Sequence, residues 1–292
     1  MSYSSISKNR GQILSTENLP IHYDLLVPVM PTPAALPVIL FIHGFKGFKD
    51  WGAFPDACEE LARAGFVVVA FNLSLNGVGE SMTDFDEPEL FRRQTLSQDL
   101  EDVGSVIRAI KKKEISNQKV MLNSDKIGII GHSRGGHTAI TAAAEYPEIQ
   151  CLVTWAAVAD YNARWSSKMI EDWNKKGVTE IKNSRTGQIL PMDKDVYDDA
   201  IQNADRLMAI KRVQEIYIPS MFIAGKNDEA VPYKDSEKLY RKSPAEEKEI
   251  RLIENAGHTF ETSHPFEDED FPPVFTQVLN LTEGWFLDHL RK

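Results

Sequence analysis

Residues Ile127-Gly128-Ile129-Ile130-Gly131-His132-Ser133-Arg134-Gly135-Gly136 lead, through His137, into Thr138-Ala139-Ile140-Thr141-Ala142-Ala143-Ala144. The first four residues make an apolar run of the length expected for a buried strand. The small-residue tract suits a helix over Gly135 to Glu145 that packs close to a sheet. Between the two there is no length for a loop, so the chain must pass from strand to helix in one sharp turn. In so tight a turn the central serine takes a strained backbone conformation. Side chains two residues to either side would collide, which accounts for Gly131 and Gly135. The Ser133 hydroxyl is then exposed at the C-terminal end of the strand. With Gly and Ser each at about 7% of residues, Gly-x-Ser-x-Gly arises by chance about once in ten chains of this length. Its weight therefore comes from the strand before it and the helix after it.

Working outward, similar apolar runs occur at Val38–Ile42, Phe66–Phe71, Leu152–Trp155, Met221–Ala224 and Glu249–Ile253. Near-continuous runs of this kind fit strands buried on both faces, and a more alternating pair near residues 11–29 supplies an antiparallel edge. Helical spacing is clearest from Arg92 to Lys113, where Leu96, Leu100, Val103, Ile107 and Ile110 recur at three- and four-residue steps. Trp51 to Ala64 and Pro273 to Leu290 add two more helices. The pattern is an α/β fold: a mostly parallel central sheet with helices on both faces. Ala157 to Pro219 breaks the alternation, because about 60 residues separate two strands that a plain crossover joins with far fewer. Residues 157–219 are therefore expected to form a cap of helices and a hairpin on a core of residues 1–156 and 220–292. Trp165 in that cap is a candidate substrate contact, while Trp173 is expected to serve more as packing.

A serine hydroxyl is a poor nucleophile at neutral pH and needs a base, oriented by a carboxylate. Asp228 follows the Met221–Ala224 strand, and His258 follows the Glu249–Ile253 strand. Both loops fall at C-terminal strand ends, the edge at which Ser133 emerges. Ile42-His43-Gly44-Phe45-Lys46-Gly47 supplies a glycine-rich turn after the first central strand. There the amide of Phe45, with that of Arg134 at the start of the helix, can face a developing oxyanion. His264 is the rival base, and Asp160 and Glu229 are the rival acids. His43 is expected to be structural, His132 to pack or line the pocket, and His137 to be a satisfied surface or core imidazole. The Arg134 guanidinium is expected in a surface or cap salt bridge, with a substrate carboxylate as the other possibility.

The chain has 292 residues, of which 42% are hydrophobic and 26% charged, and its 33 Lys and Arg against 43 Asp and Glu give a formal charge of −10. That balance argues against a nucleic-acid surface. Two cysteines, Cys58 and Cys151, make neither a disulfide framework nor a zinc site. The polar run Met1 to Pro20 lacks the apolar core of a signal peptide, and no stretch approaches about 18 apolar residues. The expectation is a cytoplasmic protein without membrane contact. No G-x-G-x-x-G, P-loop or metal-ligand spacing appears, so no cofactor and no metal are expected.

On the His-Gly-Phe turn, the Gly-His-Ser-Arg-Gly-Gly elbow and the Asp and His loops, the chain resembles the α/β-hydrolase superfamily of serine hydrolases over nearly its whole length. It is most similar to bacterial esterases of the cinnamoyl-esterase and dienelactone-hydrolase-like type. The resemblance implies Ser133 as nucleophile, His258 as base, Asp228 as its orienter, and the amides of Phe45 and Arg134 as oxyanion hole. Dienelactone hydrolases proper carry cysteine at the elbow, so the serine here favours ordinary ester cleavage. The expected activity is a cofactor-independent carboxylesterase acting on a modest-sized, small-molecule ester through an acyl-enzyme. A peptidase or thioesterase with the same triad, or a non-catalytic binding member of the fold, are the alternatives.

Overall fold

In the computed structural model, which describes residues 3–32 and 34–291, the apolar runs pair into one eight-stranded sheet. Its strands are β1 (Ile6–Leu14), β2 (Pro20–Pro28), β3 (Ala34–Ile42), β4 (Val67–Phe71), β5 (Val120–His132), β6 (Ile149–Trp155), β9 (Ser220–Gly225) and β10 (Lys248–Ile253). Their order is β1-β2-β4-β3-β5-β6-β9-β10. β1 and β2 form the expected antiparallel edge, and every pairing from β4 to β10 is parallel. Alternation along β3 shows why its sequence is continuously apolar. Val38, Leu40 and Ile42 join the core on one face of the sheet, and Ile39 and Phe41 join the core on the other.

Helices α1 (Phe54–Arg63), α2 (Pro88–Phe91), α3 (Leu96–Lys111) and α4 (Arg134–Glu145) precede β6 in the chain or lead into it. α1 and the C-terminal helix Pro273–His289 cover one face, while α3 and α4 cover the other. The helix read from Arg92 begins later. Thr95 caps it by accepting the Gln98 N–H at 3.2 Å, and Pro88 to Phe91 form a separate short turn of helix. β3 also begins earlier than its apolar run. Ala34 to Pro37 pair with Val120 to Asn123 ahead of a register shift at Pro37/Val38, and Ala and Pro carry little strand signal.

The order of strands reverses between β3 and β5, which makes the C-terminal ends of these two strands the fold's natural binding crevice. Over this edge stands the first half of the insertion: α5 (Ser167–Lys176), the antiparallel hairpin of β7 (Val178–Lys182) and β8 (Ile189–Asp193), and α6 (Lys194–Gln202). It has a small core of its own, built on Trp173, Met192 and Val196. The second half behaves differently. In α7 (Ala204–Leu207), α8 (Ala209–Arg212) and the turn after them, Leu207, Met208, Ala209, Val213 and Ile216 join the main core beside α4. α9 (Lys234–Lys242) was not legible in the sequence, because within it only Ser236 and Leu239 are buried. With α10 (Pro273–His289) the chain returns to the face of α1.

Candidate active site

Ser133 lies between β5 and α4 at φ 58° and ψ −115°, a conformation that L residues rarely hold. The surroundings enforce it. The Ser133 N–H donates to Trp155 O at 2.8 Å, while Ser133 O accepts from His137 N and Val158 N. A Cβ on Gly131 would stand 2.0 Å from Gly135 O, and one on Gly135 would stand 2.3 Å from Ile42 O. Gly131 is thus demanded by backbone on the far side of the turn, and Gly135 by backbone at the end of β3. A Cβ on Gly44 would come 3.1 Å from Ser133 Cβ, so the turn after β3 lies directly against the serine.

Asp228 and His258 come from the loops after β9 and β10, 30 residues apart in the chain, and meet at 2.7 Å between Asp228 Oδ2 and His258 Nδ1. The other carboxylate oxygen, Oδ1, accepts the N–H groups of Ala230 and Val231, each at 2.8 Å. With its side chain fully buried, the Asp228 carboxylate is fixed by three donors. His258 Nδ1 must then carry the ring proton, leaving Nε2 with a lone pair. His258 keeps 24% side-chain exposure, and it lines one cavity of about 740 Å³ together with Ser133, Phe45 and Arg134. The two loops are held in register by Asn227 N–H donating to Ala256 O at 2.9 Å.

The competing residues have other employment. His264 Nδ1 accepts the Gly52 N–H at 2.9 Å and its ring stacks on Trp51, so it forms cavity wall, with no carboxylate hydrogen-bonded to it among the described residues. Asp160 caps the turn that follows β6 by accepting from Asn162 N, and Glu229 is exposed beside Asp228. His43 is buried, its Nε2 accepting the Leu73 N–H at 3.2 Å and its Nδ1 2.9 Å from Gly44 O; burial pushes its pKa down to about 4. His132 is also buried and neutral, pushed down to about 3 by burial and by the nearby His258. Its Nε2 lies 2.9 Å from His258 O, so this ring supports the histidine loop from beneath. His137 sits between Val158 O and Leu207 O, tying α4 to the end of β6 and to α7.

The Arg134 guanidinium is in neither a surface nor a cap salt bridge. It is 1% exposed, with Nε 2.6 Å from Asp99 Oδ2 and Nη2 donating to Gln94 O at 2.9 Å. Burial opposes its charge, yet the Asp99 carboxylate holds it protonated well above its ordinary range. It lies over the rings of Phe45 and Tyr161 at 5.6 and 5.2 Å, joining the glycine turn to the start of the insertion. Asp99 and Gln94 are the residues the sequence reading missed. An acid on a helix 35 positions from its partner looks like any other solvated acid.

Trp165 is half-buried and does two things at once: it lines the cavity, and it packs edge-on against Trp173 at 5.4 Å. Trp173 itself is buried, stacked on Tyr197, with its Nε1–H donating to Met192 O. Among the described residues, no group of three or more His, Cys, Asp or Glu side chains is placed to hold a metal ion. No helix among them is long and apolar enough to cross a membrane.

Among solved structures, the chain is similar to Est1E from Butyrivibrio proteoclasticus with ferulic acid bound, at 19% identity and a TM-score of 0.70, covering 96% of this chain and 98% of that one. It is also similar to dienelactone hydrolase from Anabaena variabilis ATCC 29413, at 18% identity and a TM-score of 0.65, covering 98% and 99%. At these identities the likeness is one of fold, and the fold is that of the α/β-hydrolases. In sequence, the chain is 30% identical over 135 residues to an uncharacterised 31.7 kDa protein of the traX-finO intergenic region of Escherichia coli. That match covers 46% of this chain and 42% of that protein, less than half of its length. The model of the prolyl oligopeptidase family matches residues 54–269, a span that takes in the Ser133 elbow and the Asp228 and His258 loops, and the chain belongs to that family.

Proposed function

We propose that the protein is a serine carboxylesterase that cleaves a modest-sized ester through an acyl-enzyme on Ser133. The observation that carries this reading is the 2.7 Å contact of His258 Nδ1 with Asp228, which leaves Nε2 as a base on the cavity that Ser133 also lines. Ser133 Oγ attacks the ester carbonyl carbon while His258 Nε2 takes its proton. The Asp228 carboxylate stabilises the imidazolium that forms. The carbonyl oxygen becomes an oxyanion received by the amides of Phe45 and Arg134, each such donor typically worth about 10²–10³ in rate. Collapse breaks the C–O bond, and His258 returns the proton to the leaving alcohol. Water then enters by the same steps in reverse and releases the acid. Part of the insertion, residues 157–202, walls the site, and the apolar faces of Trp165, Met169 and Ile181 suit an acyl or aryl group.

Fluorophosphonate labelling tests the reading directly. Stoichiometric reaction at Ser133, with hydrolysis of p-nitrophenyl butyrate that Ser133→Ala abolishes, is the expected result. Inert protein would make it a binding member of the fold. Membership of the prolyl oligopeptidase family favours a second reading, a peptidase using the same residues. A larger kcat/KM on acyl-amino-acid p-nitroanilides than on matched esters would establish that reading instead.

A further inference from the structure

The charges around the cavity run against those of the whole chain. The protein carries a formal charge of −10, yet the described residues that line the cavity include Lys46, Arg134, Arg164 and Arg185 and neither aspartate nor glutamate. The acids closest to the chemistry are spent. Asp228 is buried behind His258 with three donors on it, and Asp99 is covered by Arg134.

Among the described residues, three of the four cations have no carboxylate partner. Elsewhere in the molecule Arg92, Arg206, Arg212, Arg241 and Arg251 pair with carboxylates. Among the described residues Lys46, Arg164 and Arg185 have no such partner, and each is held by a backbone carbonyl instead. Lys46 Nζ donates to Lys182 O at 3.3 Å, Arg185 Nη2 to Thr83 O at 3.2 Å, and Arg164 Nη2 to Ala230 O. Asp84, next to Thr83, is exposed and forms no ion pair with Arg185 among the described residues.

Two of these cations line the cavity from adjoining elements. Lys46 belongs to the turn after β3 and reaches the end of β7, while Arg185 belongs to the turn between β7 and β8. Lys46 is also unusual in its backbone, at φ 55°, where glycine is the ordinary choice. Its ammonium is half-buried, and that burial pushes its pKa below the usual lysine value, so an entering anion would compensate solvation already lost.

Building on the esterase reading, we infer that the pocket selects esters bearing a second, anionic group, a carboxylate set apart from the scissile bond, which docks between Lys46 and Arg185 beneath the β7–β8 hairpin. Arg164 adds to the field from the Ala230 side of the mouth. A concave site of one sign on a protein of the other concentrates ligands of the complementary charge, and exposed guanidinium groups make that attraction sensitive to salt.

The experiment compares matched pairs of esters: monoethyl adipate against ethyl heptanoate for a charge on the acyl side, and 4-carboxyphenyl butyrate against 4-methylphenyl butyrate for a charge on the alcohol side. The expected result is that, in at least one pair, the anionic ester has a kcat/KM about tenfold higher at low salt, with the advantage shrinking several-fold by about 0.5 M NaCl. Lys46→Met and Arg185→Gln should each lower the anionic-to-neutral ratio several-fold. The ratio is read within one variant, so general damage to the turn cancels. Calorimetry on Ser133→Ala protein should show tighter binding of monoethyl adipate than of ethyl heptanoate. That preference without ester turnover would overturn the esterase reading while supporting the anion site. Neutral esters preferred in both pairs, or ratios that neither substitution moves, would overturn the inference.

Discussion

At Ser133 the backbone and the hydroxyl have separable tasks. Its φ of 58° and ψ of −115° fall where a non-glycine residue stores on the order of 1–3 kcal/mol. Ser133→Ala keeps the Cβ and hence the strain, so its stability should stay within about 0.5 kcal/mol of the parent while ester turnover falls by several orders of magnitude. Ser133→Gly removes the strain at some cost in unfolded-state entropy. Its urea midpoint should therefore equal or exceed that of Ser133→Ala. Gly135→Ala has no such latitude, because its methyl would stand 2.3 Å from Ile42 O and 2.4 Å from His43 O, both backbone atoms. It should lose more than about 3 kcal/mol or fail to fold. Equal urea midpoints for Gly135→Ala and Ser133→Ala would show that crowding is not what the glycine relieves. This part of the site was legible in the sequence because its requirements are local: two glycines, one serine and a turn with no spare length. The Arg134–Asp99 contact was not, since nothing in the sequence of α3 marks Asp99, rather than Glu101 or Asp102, as the partner of Arg134.

That contact matters most as a joint between elements. Arg134 opens α4, Asp99 lies in the first turn of α3, and both side chains are 1% exposed. Removing one partner strands a buried charge, which typically costs about 3–5 kcal/mol, whereas replacing both with apolar groups can be close to neutral. Asp99→Ala should fall in that range, and Asp99→Leu with Arg134→Met should recover most of the loss in a double-mutant cycle. Additive losses would mean that the pair is not coupled. In the insertion the two tryptophans should separate. Trp173→Ala empties the small core beside Met192 and Val196 and should cost about 3–5 kcal/mol with little change in substrate ranking. Trp165→Ala removes cavity wall and should shift the ranking among esters about tenfold, roughly 1.4 kcal/mol. Kinetics on an ester panel beside thermal melts of both variants checks the division. Element positions were readable where burial left a continuous apolar run, as in β3 and β6, or a helical period, as in α3. They were hidden where it did not: α9 is mostly charged, and the start of β3 is made of Ala34, Ala35, Leu36 and Pro37.

Across the whole molecule, acid should loosen the candidate site before it unfolds the sheet, because two buried neutral histidines brace its loops. His43 joins the turn after β3 to Leu73, and His132 joins the elbow to the loop of His258. Burial lowers both, to about 4 and about 3, against roughly 6.5 in an unfolded chain. The unfolded state therefore takes up protons first. The stability these rings contribute is complete above about pH 6.5 and drains away as pH falls toward the folded values, on the order of 2 kcal/mol each by pH 5. Asp102 works in the opposite sense. Burial pushes it up to about 7, so the stability tied to it is present at low pH and lost as pH rises from about 4 toward 7, and acidification returns part of what the histidines remove. His137 acts in the same sense as His43 and His132, burial lowering it to about 4 although the carbonyls of Val158 and Leu207 at its two ring nitrogens favour the charged ring. Buried Asp99 is raised in the same sense as Asp102, so the slope near pH 6 is a sum of opposing contributions, and replacing one histidine removes its share. His132→Gln will be less stable at pH 7, but its unfolding free energy should lose about 1 kcal/mol per pH unit of slope near pH 6. Urea unfolding at half-unit steps from pH 5 to 8 measures that slope directly. A slope unchanged from the parent's would mean that His132 is not the neutral buried brace its contacts describe.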